Sequence, residues 1–228
     1  MATNLVHIDE HLESTIYAAG AAGFVPVTGE FLCTPEAKSD VAVLRLEGGL
    51  NDELAGQVFL SEGDILPADQ YDGVNYLTLV GYPASRSKEN RLTQAVRTQG
   101  YSIGVRVLSL EGEILRGSFL RKRHRDGETG LKVTAPEPYG MSGGAMFASK
   151  VKAGNAGGKH EPKLAGISTT WLEGENEVIG TKITVVLAII RDACGVAIPE
   201  ALAPGRVTAV PDPANPADLP AEPSTPES

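Results

Sequence analysis

The sequence is almost without cysteine. Two thiols in 228 residues, Cys33 and Cys194, lie far apart and supply neither a disulfide framework nor a paired metal-ligand spacing. An apolar core therefore has to hold the fold, as in proteins of a reducing compartment. A single bridge between the two is left open. Aromatic residues are scarce too, at 5% with one Trp, so the core is expected to be Val, Leu, Ile and Ala. Basic charge is in deficit: 20 Lys and Arg against 29 Asp and Glu give a net charge of −9. A general nucleic-acid binder carries the opposite electrostatic footprint, so no nucleic-acid partner is expected. The longest apolar run, Val185-Val186-Leu187-Ala188-Ile189-Ile190, is far too short to cross a bilayer. The polar, acidic stretch Met1 to Glu10 lacks the basic-then-apolar pattern of a signal peptide. The expectation is a soluble, cytoplasmic protein without a membrane partner.

Glycine and proline, by contrast, are plentiful, at 26 and 15 residues. With 42% hydrophobic residues they point to many short strands joined by turns, in one large β domain or two small barrels. Short β-prone pieces follow in order: Thr15 to Ala18, Phe24 to Val27, Gly29 to Cys33, Val41 to Leu46, Gln57 to Leu60 and Asn75 to Val80. The polar stretch Ser85 to Asn90 reads as a linker, which places a boundary between two halves at roughly residues 84–98. Beyond it the pattern resumes with Ser102 to Leu110, Ile114 to Arg121, Leu131 to Thr134, Leu164 to Trp171 and Val178 to Thr184. Thr184 to Ala193 is the best helix candidate, with Val185, Leu187, Ala188 and Ile189 on its apolar side and Gly195 to end it. From 203 to 228 the composition turns to Pro, Ala, Asp and Glu, which cannot bury enough surface to offset ordering entropy, so a disordered tail is expected.

Four features carry chemistry. His7 and His11 are four apart and would share a helix face with Glu10 between them, but the order is not His-Glu-x-x-His and no third ligand stands nearby. No metal and no other cofactor is expected. Asp40 opens the apolar run Val41-Ala42-Val43-Leu44, where a capping or turn role is the plain alternative to a functional one. The basic run Arg121-Lys122-Arg123-His124-Arg125 meets Asp126-Gly127, a hairpin turn signal. A solvated hairpin tip is favoured there over a surface for an acidic partner, because no aromatics interleave. Finally, Tyr139-Gly140-Met141-Ser142-Gly143-Gly144 sets a serine among glycines ahead of the apolar Ala145-Met146-Phe147. Glycines allow a tight turn that leaves the hydroxyl uncovered and amide donors free, the geometry of an acyl-transfer nucleophile. A glycine-rich turn between two strands would carry the same residues.

Gly140-Met141-Ser142-Gly143-Gly144 followed by Ala145-Met146-Phe147 resembles the nucleophile loop of the trypsin-like, chymotrypsin-fold serine peptidases. Asp40 to Leu46 resembles that family's triad-aspartate segment, an Asp leading an apolar strand that ends in Arg-Leu. Gly81-Tyr82-Pro83 resembles the glycine-containing segment that closes its first barrel, and Leu164 to Thr170 resembles the strand that follows the nucleophile. The matches run in the family's order over residues 40–193, and the likeness is to its bacterial, intracellular-looking members.

The resemblance implies an all-β, two-barrel chymotrypsin-like fold with a C-terminal helix: a first barrel over about 1–83, a linker over 84–98, and a second barrel plus helix over 99–202. It implies a serine endopeptidase with Ser142 as nucleophile, His7 as base and Asp40 as its orienting acid, His11 being the runner-up for the base. The amides of Gly140 and Ser142 would form the oxyanion hole. Ala135 and Pro136 would line the specificity pocket, where no acid stands to select Lys or Arg, although Glu137 is adjacent. Ser168, Thr169 and Thr170 would pair with the backbone of a peptide or protein substrate. Asn4-Leu5-Val6-His7 stands where the family has Thr-Ala-Ala-His, and the strands that normally precede the histidine are missing. Three alternatives are left open: the chain starts further upstream than given, the first barrel is incomplete at its N-terminus, or a partner completes it. A catalytically inactive, peptide-binding relative is the alternative function.

Overall fold

A computed structural model of the chain describes residues 16–19, 24–27, 29–33, 41–46, 60–86, 88–90, 95–97, 99–126, 129–149, 161–205 and 210–211. The described structure is mostly β. Its strands are β1 (Ile16–Ala19), β2 (Phe24–Val27), β3 (Gly29–Cys33), β4 (Ala42–Leu46), β5 (Tyr76–Gly81), β6 (Lys88–Asn90), β7 (Ala95–Arg97) and β8 (Tyr101–Ser109). They continue with β9 (Ile114–Ser118), β10 (His124–Arg125), β11 (Lys132–Val133), β12 (Ala145–Ser149), β13 (Lys163–Leu172) and β14 (Glu177–Lys182), then helix α1 (Ile183–Cys194) and β15 (Val210–Pro211).

Six strands close an antiparallel barrel in the order β12-β13-β14-β9-β8-β5, with β5 pairing back to β12. Alternation in the sequence produces it. In β5, Leu77 and Leu79 are buried while Tyr76 and Val80 face out, and in β8 Ile103 and Val105 are buried between exposed neighbours. The interior is filled by these residues with Leu115, Phe119, Met141, Met146 and Val178. A six-stranded barrel is narrow, so large side chains need small ones opposite. At Gly180 a Cβ would stand 2.4 Å from Met146 Sδ, and at Gly166 one would stand 2.4 Å from Leu115 Cδ1.

Helix α1 covers one outer face of the barrel, burying Ile183, Val185, Ala188 and Ile189. Ile183 joins Ile65, Ala145, Leu164 and Leu202 in a second apolar cluster outside the barrel. Gly195 ends the helix in the left-handed region, its N–H returning to the Arg191 carbonyl at 3.1 Å. The same helix also rests against β3 and β4. Among the described residues, no helix is long and apolar enough to cross a membrane.

Tyr71 packs where the helix leaves the barrel. Its hydroxyl donates to the Ala165 carbonyl at 2.5 Å, and burial pushes its phenol above the ordinary value against opposing hydrogen bonds from the Ile183 amide and Thr184 hydroxyl. The folded state therefore favours the protonated form. That stability is complete below the unfolded value of about 10 and is lost as pH rises beyond it. Tyr71→Phe is expected to cost about 1–2 kcal/mol at neutral pH and to flatten the alkaline loss of stability. Urea unfolding of both proteins at about pH 8 and about pH 11 checks it.

Three expectations change. The strand before Gly81-Tyr82-Pro83, placed in the first half, is a stave of the barrel formed with second-half strands, held between β12 and β8. The barrel thus draws one strand from before the polar stretch read as a linker. That stretch itself carries a small hairpin, β6 with β7. The tail is not structureless throughout: Ala203 is fully buried, and Val210–Pro211 pairs with Cys33 and Leu32 at the edge of β3. The Arg191 guanidinium holds the turn after the helix by donating to the carbonyls of Ala203 and Gly205, while Glu200 accepts from the Gly205 amide at 3.1 Å. Cys194 is a free thiol, so no bridge joins it to Cys33. The remaining β pieces form a β1–β2 hairpin, the three-stranded sheet β15-β3-β4, and a β10–β11 hairpin. His7, His11, Asp40 and the strand expected at 57–59 lie outside the described residues, as do 212–228.

Candidate functional site

The chain leaves β11 at Val133 and approaches the serine through buried Ala135, Pro136 and Pro138. Two prolines in that approach restrict φ and remove backbone donors, so the following turn is delivered by a stiff segment. The turn is then tied down amide by amide. Met141 N–H donates to the Pro138 carbonyl at 2.9 Å, and Gly144 N–H to the Met141 carbonyl at 3.0 Å. Gly143 N–H donates to the Ser168 carbonyl at 2.8 Å, and Ser168 N–H returns to the Gly144 carbonyl at 2.8 Å. Met141 anchors the loop by burying its side chain in the barrel interior.

Two amides of the loop stand apart. Among the described residues, Gly140 N–H and Ser142 N–H have no backbone or side-chain acceptor, while Met141, Gly143 and Gly144 all do. Gly140 has φ +82°, and a Cβ there would lie 2.9 Å from both the amide nitrogen and the Cβ of Ala84. Both its conformation and the space beside it require glycine. Ala84 N–H donates to the Tyr139 carbonyl at 2.8 Å, so this approach is itself hydrogen-bonded.

Ser142 is exposed at the head of β12, and its Oγ donates to the Thr169 carbonyl at 2.9 Å. The structure therefore brings Ser142 together with Ser168 and Thr169 of β13. Ser168 is buried, Thr169 is half-buried with its Oγ1 3.5 Å from the Ile179 carbonyl, and Thr170 is exposed. β13 pairs with β12 only up to Ile167, while its other edge pairs with β14 as far as Leu172. Among the described residues, the β12-side edge beyond Ser168 has no strand partner.

Ala135 and Pro136, expected to line a specificity pocket, are both buried on the approach, Ala135 within the barrel's core cluster. Ala135 N–H donates to the Arg121 carbonyl at 3.0 Å, and Arg121 Nε donates to the Ala135 carbonyl at 3.3 Å. The same guanidinium pairs with Glu137, so the acid next to Pro136 is matched by a cation. His124, the one histidine among the described residues, packs its ring on Phe119 at 5.1 Å between centroids. Burial lowers its pKa and keeps it neutral. Nothing joins it to Ser142, in keeping with its place after Asp40 in the chain.

Sequence reasoning missed the Thr169 carbonyl, the Ala84 contact and the Arg121–Glu137 pair. Only the last had a signal, two opposite charges, and nothing local said that they meet. No group of three or more His, Cys, Asp or Glu among the described residues could hold a metal. A cleft of about 320 Å³ lined by Tyr71, Glu113, Lys182, Thr184 and Val185 includes none of the candidate residues. An exposed hydroxyl with unengaged amides at its own residue and two before it suits attack on a carbonyl; a backbone carbonyl can orient that hydroxyl but cannot take its proton. No protein-family model and no curated protein sequence matches this chain.

Proposed function

We propose that the chain is a serine endopeptidase of the two-barrel chymotrypsin-like type. The carrying observation is the Ser142 loop: an exposed hydroxyl donating to Thr169, with unengaged Gly140 and Ser142 amides, at the rim of a closed six-stranded barrel. In this reading Ser142 Oγ attacks the scissile carbonyl, His7 takes its proton and later gives it to the leaving amine, and Asp40 holds the imidazole tautomer. The Gly140 and Ser142 amides receive the oxyanion, where one such donor is worth about 2.7–4 kcal/mol. The free edge at Thr169 and Thr170 takes the substrate backbone as an added strand. With Glu137 paired to Arg121, the segment at Ala135 and Pro136 presents no free acid, so a small or apolar side chain before the scissile bond is expected. The N-terminal strands would contribute to the other barrel.

The second reading is a peptide-binding relative without catalysis. The Ser142–Thr169 bond favours it, because the hydroxyl there points at a carbonyl rather than a base. An internally quenched peptide library incubated with the purified chain separates the two. Cleavage after small or apolar residues supports the peptidase, and an intact library over a folded protein supports the binding domain.

A further inference from the structure

The segment from Arg121 through the β10–β11 hairpin stands outside the barrel and carries a net charge opposite in sign to that of the whole molecule. Five of the 20 Lys and Arg residues fall within Arg121 to Lys132, against the two acids Asp126 and Glu128, on a chain of net charge −9. Arg121 is taken up by Glu137, and Asp126 by hydrogen bonds from the Thr129 amide and hydroxyl at 2.8 Å. Lys122, Arg123, Arg125 and Lys132 are exposed and, among the described residues, in no ion pair; Arg125 Nη1 donates to the Gly130 carbonyl at 2.8 Å. Apolar side chains are exposed among them: Leu131 at 67%, Val133 at 40% and Leu120 at 39%.

The pairing register makes this arrangement costly for the free protein. Arg125 stands directly opposite Lys132. Like charges facing each other weaken an antiparallel pair, and an isolated two-stranded hairpin is marginal to begin with. A carboxylate between the two cations turns their repulsion into a bridge. Entering and along β11, the order Leu131, Lys132, Val133 alternates apolar and cationic groups, which suits an extended segment alternating apolar and acidic ones.

We infer that this hairpin is an exosite, a docking surface for an acidic, apolar-interspersed segment of the polypeptide substrate. The word substrate rests on the peptidase reading; the docking does not. The hairpin is joined to the candidate site, because Arg121 bonds Ala135 through both its carbonyl and its guanidinium, and β11 runs straight into that segment. A peptide that leaves the serine loop beside the exposed Thr134 therefore has the cations as its next contact. An anionic membrane would face the whole acidic body as well as the hairpin and be repelled by it. Nucleic acid would find no exposed aromatic platform on the tip.

The test is fluorescence anisotropy with the full chain as Ser142→Ala, which cannot consume its probe. The probes are a labelled peptide alternating Glu and Leu and its counterpart with Gln for Glu. The acidic peptide is expected to bind about tenfold more tightly, the preference eroding with added salt. Adding Lys122→Gln, Arg123→Gln and Lys132→Gln should abolish the preference without moving the thermal midpoint. Equal binding of the two peptides, or a preference surviving the triple change, overturns the exosite. So does tighter binding to phosphatidylserine vesicles than to the acidic peptide. Because no chemistry is read, a chain that binds the peptide but hydrolyses nothing keeps the docking surface and loses the peptidase.

Discussion

Ser142→Ala abolishes peptide hydrolysis, with an expected fall in kcat of roughly 10⁶-fold, while the protein melts almost where the parent does. The two halves of this expectation have separate causes. The hydroxyl is exposed and makes one hydrogen bond, to the Thr169 carbonyl. Losing it leaves that carbonyl to water and costs at most about 1 kcal/mol of stability. As nucleophile, by contrast, the oxygen forms and breaks the bonds of the reaction, and what survives its removal is only what oxyanion donors and binding contribute. Rates on a cleaved library peptide and melting curves, measured on one preparation, check both. A serine that merely caps a turn would leave the rate unchanged.

Gly140→Ala has the next largest effect, and here fold and chemistry fail together. The left-handed conformation at φ +82° costs a residue with a Cβ about 1–2 kcal/mol. The new Cβ also lies 2.9 Å from Ala84 N and Cβ, so the loop must move away from Ala84 and stretch the hydrogen bond from Ala84 to Tyr139. Relieving either strain rotates the peptide unit that carries the Gly140 amide, one of the two proposed oxyanion donors. A fall in kcat of about 10²–10³-fold is expected, with KM less affected, together with a lower thermal midpoint. Gly143→Ala provides the control. Its φ is +81° but a Cβ there meets nothing within 4 Å, and its amide serves Ser168 instead of the substrate. It should lose a similar conformational increment of stability and much less activity.

Local signals were legible wherever a residue's own chemistry decides its conformation. The β-prone piece Asn75 to Val80 matches β5 and the helix expected at Thr184 to Ala193 matches α1, each to one residue at either end, and Gly195 ends the helix as expected. Non-local choices were not legible. Closing the barrel pairs Leu79 with Met146, and nothing in either segment names the other. Composition read the tail as unable to fold alone. It could not see that Val210 and Pro211 need only an open strand edge, which β3 offers. Gly127 of the hairpin turn expected at Asp126-Gly127 lies outside the described residues, while the Asp126 amide donates to the Leu131 carbonyl at 2.9 Å and Gly130 is in the left-handed region.

The candidate site divides along the same line. Ser142 and its glycines announce themselves because a tight turn with free amides demands those residue types. The Thr169 carbonyl does not, since every residue carries one. Arg121 and Glu137 were visible as charges, but their meeting depends on the path from β11 to the serine loop, which only the folded chain defines.

One measurement tests the central claim most directly: the intact mass of the folded chain after incubation with a fluorophosphonate, followed by peptide mapping. Such a reagent reacts with a serine hydroxyl only where a base and an oxyanion hole activate it. A single phosphonyl adduct on Ser142, absent from Ser142→Ala, is the predicted result. An unmodified protein, or an adduct on any other residue, would contradict it.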